Sequence, residues 1–114
     1  VKNSIKVKKQ IPDFNITSKK AIPIGIIINE LLTNVFKYAF KNRDNGEVSI
    51  NINKTGSRIT VIIQDNGIGI DQRIKAKKTT GFGITLVEML VDQLKGTYTA
   101  EHENGTKSVI QFEL

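Results

Sequence analysis

The apolar positions of this chain recur with two periods. From Ile22 to about Phe40 they return every three or four residues, at Ile24, Ile27, Ile28, Leu31, Leu32, Val35 and Ala39. That spacing lines one side of a helix, so a long amphipathic helix is predicted there. Pro23 suits its first turn, where a missing N–H costs nothing, and Thr17 to Lys20 read as a polar lead-in. A second helix is predicted from Phe82 to Leu94, with Ile84, Val87, Leu90, Val91 and Leu94 on one face and Gly96 as its stop. Elsewhere the period drops to two. Val48 to Ile52 and Ile59 to Ile63 alternate as strands broken by Thr55-Gly56, after a polar turn from Asn42 to Gly46. Ile5, Val7 and Ile11, mixed with lysines, predict an edge strand that Pro12-Asp13 ends. Thr97 to Ala100 and Ser108 to Phe112 close the chain around a Glu103-Asn104-Gly105 hairpin turn. Strand, helix, two strands, loop, helix, two strands is the order of an α+β fold, with helices set against a mainly antiparallel sheet.

Composition narrows this picture. A length of 114 residues with 39% hydrophobic and 25% charged content suits one domain with one core. The expectation is a single domain over residues 1–114, belonging to a longer protein because Val1 opens without a leader-like segment. No apolar run approaches the ~20 residues that span a bilayer. With no cysteine, disulfides, thiolate metal sites and cysteine nucleophiles are excluded. The net charge of +6 raises the question of nucleic acid, but the lysines are scattered and no aromatic residues interleave with them for stacking on bases. Nucleic acid is not expected as the partner. A basic surface equally suits a polyphosphate ligand or an acidic protein.

Three polar segments interrupt the elements. In Asn29 to Tyr38, the residues Glu30, Asn34, Lys37 and Tyr38 stand at i, i+4, i+7 and i+8, on one face of the first helix. A carboxylate one turn from an amide oxygen suits a hard cation such as Mg²⁺, and a lysine further on can meet a phosphate as a point charge. The solvated side of a surface helix would look the same. Asp65-Asn66-Gly67-Ile68-Gly69 follows a strand. Its alternating glycines let backbone approach a flat ligand, and Asp65 suits the exocyclic amine of a base, although a plain Asn-Gly turn is the alternative. Thr79-Thr80-Gly81-Phe82-Gly83 opens the second helix, whose free N–H groups and dipole favour a phosphate. A flexible loop feeding a helix is the alternative there. Neither a P-loop nor a strand running into G-x-G-x-x-G is present.

In order and spacing these segments resemble the N, G1 and G2 boxes of the GHKL ATPases, the superfamily of gyrase B, Hsp90, MutL and histidine kinases. The likeness runs from Pro23 to the chain's end. The phrase IPIGIIINELLTNVFKYAF is most similar to sensor histidine kinases with a Glu-type N box, the HWE-like kind. GFGITLVEMLVDQLKG resembles their second glycine box and the helix after it, and ENGTKSVIQFEL their closing Gly-Thr strand.

The resemblance implies a Bergerat α/β sandwich, with a mixed, mainly antiparallel sheet and helices packed on one face. It implies ATP and Mg²⁺. Asn34 would bind Mg²⁺ between the phosphates, Glu30 would polarise the attacking group, and Lys37 would contact phosphate. Tyr38 would pack near the adenine or ribose. Asp65 would bind the adenine amino group, with Gly67 and Gly69 shaping the base pocket and Thr106 beside it, while Gly81 and Gly83 would border the phosphates. The activity implied is transfer of the γ-phosphate to a histidine on a separate dimerisation domain of the same protein, with a response regulator downstream. The implied setting is the cytoplasm, with a domain that is monomeric alone and touches neither membrane nor nucleic acid. Only ten residues separate Ile70 from Gly81, so the lid is short and lacks a separate phenylalanine box. Ile84 stands where leucine is usual, and Lys75, Lys77 and Lys78 are read as a solvated basic loop.

The single histidine, His102, lies beside the predicted hairpin turn. Acceptor histidines of these kinases lie on a helical hairpin, so His102 is expected to be an exposed strand-end residue, neither acceptor nor metal ligand. The chain is therefore expected to bind nucleotide without phosphorylating itself. Two alternatives stay open: a serine kinase of the anti-sigma type, also with Glu in its N box, and a non-catalytic nucleotide-sensing or basic interaction module. Intact Glu30, Asn34, Asp65 and both glycine boxes argue against the latter.

Overall fold

The structure, a computed structural model, describes residues 4–40, 45–68 and 82–114. Strand β1 (Ser4–Gln10) leads to helix α1 (Ser18–Asn34), which passes directly into a π-helical turn, Val35–Ala39. Strands β2 (Asn45–Thr55) and β3 (Arg58–Asp65), helix α2 (Phe82–Gln93) and strands β4 (Thr97–Glu101) and β5 (Lys107–Glu113) follow. One sheet holds the strands in the order β1-β2-β3-β5-β4. Only β1 and β2 pair in parallel; the other pairs are antiparallel. A parallel pair needs a crossover rather than a hairpin, and α1 provides it.

Strict alternation decides which face the helices cover. Val48, Ile50 and Ile52 of β2, Ile59, Val61 and Ile63 of β3, and Ile110 and Phe112 of β5 are all buried. They share one core with Ile27 and Leu31 of α1 and Val87 and Val91 of α2. The intervening Ser49, Asn51, Thr60, Ile62, Val109 and Gln111 belong to the opposite face, since successive strand residues point to opposite sides. The expected α+β arrangement, a mixed and mainly antiparallel sheet with helices on one face, is the one observed.

The helix boundaries differ from the sequence reading. Helix α1 begins at Ser18 rather than Ile22, because the Thr17 carbonyl accepts the N–H groups of Lys20 and Ala21 at 3.0 and 2.8 Å. This exposed polar turn carries no apolar period and so looked like a lead-in. Pro23 is consequently inside the helix, where its ring removes one ladder bond. At the other end the α-helical pattern stops at Asn34, and the chain continues as a wider turn in which Val35, Ala39 and Phe40 are all buried.

The end of α2 also departs from expectation. Lys95, not Gly96, takes the left-handed conformation (φ 57°). The N–H of Gly96 reaches the Val91 carbonyl at 3.0 Å and that of Lys95 reaches Asp92 at 2.9 Å, a Schellman closure. Gly96 is glycine for another reason: a β-carbon there would strike the Gln111 carbonyl of β5.

Candidate functional site

Asp65 ends β3 and is 4% exposed, a placement a carboxylate tolerates only when hydrogen-bonded. Its Oδ1 accepts the Gly67 N–H at 2.8 Å. Its own N–H donates to the Thr106 carbonyl at 3.0 Å, which sets Thr106 beside it just before β5. Gly105, at φ 111°, lies so close that a β-carbon would meet the Asp65 carbonyl oxygen and come within 3.1 Å of Oδ1. The sequence reading placed Gly105 in the hairpin turn and in the closing Gly-Thr strand, but gave it no part beside Asp65.

The Asp65 loop is tied down on both sides. The Asn66 side-chain oxygen accepts the Glu47 N–H at 2.9 Å, and the Asn66 N–H donates to the Glu47 carbonyl at 3.1 Å. Asn66 thus prolongs the β2–β3 ladder with a side chain, a role not seen in the sequence. Ile68 donates to the Ala39 carbonyl at 2.9 Å. Gly67 is buried against that same carbonyl, where a β-carbon has no room. The π-helical turn after α1 and the Asp65 loop therefore form one wall.

Glu30 and Asn34 lie one turn apart on α1, both half-buried. The Asn34 side-chain nitrogen is fully shielded from solvent yet has no hydrogen-bond partner among the described residues, an arrangement that costs free energy unless something completes it. Lys37 and Tyr38 fall within the π-helical turn, so the i+7 and i+8 argument for them, which assumed an unbroken α-helix, does not hold as stated. Lys37 is exposed and Tyr38 half-buried. Gly83 lies in the first turn of α2, beside the Glu30 carboxylate. Gly69, Gly81 and the lysines Lys75, Lys77 and Lys78 lie outside the described residues. His102 is exposed, as expected, but its Nδ1 is 3.2 Å from the Thr106 hydroxyl.

Residues 19–114 match the family model for histidine kinase-, DNA gyrase B- and HSP90-like ATPases. The chain belongs to that ATPase family. It is 26% identical over 114 residues to blue-light-activated histidine kinase 2 of Erythrobacter litoralis, a match covering 99% of this chain and 33% of that one. It is 32% identical over 94 residues to the anti-sigma F factor of Clostridium beijerinckii, covering 74% of this chain and 64% of that one. The histidine kinase domain of the Erythrobacter litoralis EL346 blue-light-activated kinase superposes with a TM-score of 0.89 at 26% identity, over 97% of this chain and 52% of that chain. The chain thus spans a third of the kinase it resembles and about half of the solved domain. Among the described residues, no helix of this ATPase domain is long and apolar enough to cross a membrane.

The residues of the ATPase domain suit a nucleotide with its metal. Asn34 holds a shielded N–H donor, suited to an acceptor such as a phosphate oxygen, and its side-chain oxygen and the Glu30 carboxylate are donor types of the kind Mg²⁺ takes. Gly67 and Gly105 let the backbone of Ala39 and Asp65 pack directly against them, which fixes the loop that carries the Asp65 carboxylate.

Proposed function

We propose that this domain binds Mg·ATP and presents the γ-phosphate to a histidine on another domain of the same protein, within a two-component pathway that ends at a response regulator. The observation that carries this reading is the shielded Asn34 side-chain nitrogen, without a hydrogen-bond partner among the described residues, one helical turn from Glu30 in a chain of this ATPase family. In the proposal Asp65 accepts the adenine amino group, with Gly67 and Gly69 against the base, and Thr106 and Tyr38 border it. Asn34 holds the metal through its side-chain oxygen, and Lys37, Gly81 and Gly83 face the phosphates. When bound, Mg²⁺ neutralises phosphate charge and so lowers the barrier to transfer. The protein's share is positioning and fixed charge. Glu30 orients the attacking group; a neutral imidazole is already a nucleophile and has little need of a strong base. The proposed setting is cytoplasmic, and the domain alone is monomeric, making no membrane or nucleic-acid contact.

A serine kinase is the second reading. The 32% identity to an anti-sigma F factor favours it, and a serine hydroxyl, unlike imidazole, needs a base that Glu30 would supply.

Labelling the full-length protein with γ-radiolabelled ATP tests both. Label that is lost in acid and kept in alkali identifies phosphohistidine, and the reverse identifies phosphoserine. Asn34→Ala should abolish labelling while leaving the fold intact. A full-length Asn34→Ala protein that still labels itself overturns the metal-ligand assignment.

A further inference from the structure

We infer that Gly83 is a positioning residue for the Glu30 carboxylate, beyond any part it has in bordering the phosphates. The inference rests on the proposed role of Glu30 and adds what holds that side chain in place.

Gly83 lies within α2 and is not among the glycines with positive φ, so its backbone does not require glycine. In a helix, glycine costs about 1 kcal/mol relative to alanine. Packing supplies the reason for it. A β-carbon at position 83 would lie 2.7 Å from Glu30 Oε2 and 3.8 Å from Glu30 Cδ, and among the described residues it would meet nothing else within 4 Å. Gly96 and Gly105, by contrast, are crowded by backbone. At Gly83 the missing atom is replaced by one carboxylate oxygen.

The location of that oxygen has a physical cause. Helices α1 and α2 pack against each other, and Gly83 belongs to the first turn of α2, where N–H groups lack intrahelical acceptors and the dipole end is positive. A carboxylate is drawn to that end, and only a bare Cα lets it settle there. Because Glu30 Oε2 is the far tip of a flexible side chain, a methyl group at position 83 would leave the fold intact and push the carboxylate aside.

The test is a double-mutant cycle in the full-length protein, with Gly83→Ala in the native and the Glu30→Ala backgrounds. In the native background Gly83→Ala should lower the turnover number for phosphorylation roughly ten- to a hundredfold, the scale of a 1 Å misplacement. With ATP saturating in every variant, Gly83→Ala in the Glu30→Ala background should cost no further turnover, as coupled neighbours require. An equal loss of turnover in both backgrounds overturns the inference and returns Gly83 to the phosphates alone. A second arm needs no nucleotide: the Glu30 Cδ resonance of the ligand-free protein should shift in Gly83→Ala, and an unmoved resonance also overturns it. If the native protein neither binds ATP nor becomes phosphorylated, the proposed function fails, and the resonance still decides whether Gly83 positions Glu30.

Discussion

Gly67 is pressed against the carbonyl of Ala39, the last residue of the π-helical turn, with no room for a β-carbon between them. Both partners are backbone and neither can swing away, unlike the side-chain tip that faces Gly83. Gly67→Ala should therefore lower unfolding stability by about 1–3 kcal/mol, the range for overpacking a closed site. The shift of the urea midpoint measures it. A midpoint unchanged from the native protein would mean that the Asp65 loop can slide off the α1 end.

Two substitutions should stabilise. Gly25 lies in α1 with nothing within 4 Å of a built β-carbon, so Gly25→Ala should add about 0.5–1 kcal/mol through helix propensity and a less free unfolded chain. Lys95 carries the strain of φ 57° at the end of α2; Lys95→Gly should relieve about 1 kcal/mol. A β-carbon at position 25 meets no neighbour within 4 Å and so shares no partner with Lys95, and thermal unfolding of the double variant should return the sum of the two single effects.

The base-recognition role proposed for Asp65 can be separated from its part in folding. Asp65→Asn retains an oxygen to accept the Gly67 N–H but replaces a pure acceptor with an amide. Asp65→Ala removes both. Calorimetric titration should show the preference for ATP over GTP lost in Asp65→Ala, and an unchanged preference counts against the adenine pocket. Asp65→Asn should unfold at higher denaturant than Asp65→Ala, because the alanine leaves the buried Gly67 N–H without its acceptor.

Alkaline pH should loosen the domain through Tyr98. Burial raises its hydroxyl pKa above the ordinary 10.0; the Ser108 hydrogen bond offsets this in part, and the Glu88 carboxylate adds to it. A raised phenol keeps its proton longer folded than unfolded. Its contribution is thus present in full below pH 10.0 and is lost as pH rises through the folded value. Unfolding midpoints measured upward from pH 9 should fall more steeply for the native protein than for Tyr98→Phe.

Much of this was legible in the chain because the apolar period is unusually clean. Alternation in Val48–Ile52 and Ile59–Ile63 placed β2 and β3, and the Glu30–Asn34 spacing set both on one side of α1. What stayed hidden had local causes. The first turn of α1 is exposed and polar, so no period marks it. The π-helical turn changes the residue count per turn without changing which residues are apolar. The pairing of Asn66 with Glu47, the seat of Gly67 on Ala39 and the packing of Gly83 on Glu30 are contacts between segments distant in sequence, and no one-dimensional pattern encodes them.

The parallel pairing of β1 has a consequence for how the molecule opens. Ser4 finds Asn45 only across the whole of α1, and β1 has a single neighbour and mostly exposed side chains. Such a strand gains little burial for the loop it closes, so it should exchange its amide hydrogens early. The described groups proposed to hold the nucleotide stand on α1 and the turn after it, at the end of β3, on α2 and just before β5. Fraying of β1 therefore leaves them assembled, and the sheet can breathe at its edge without releasing what it holds at its centre.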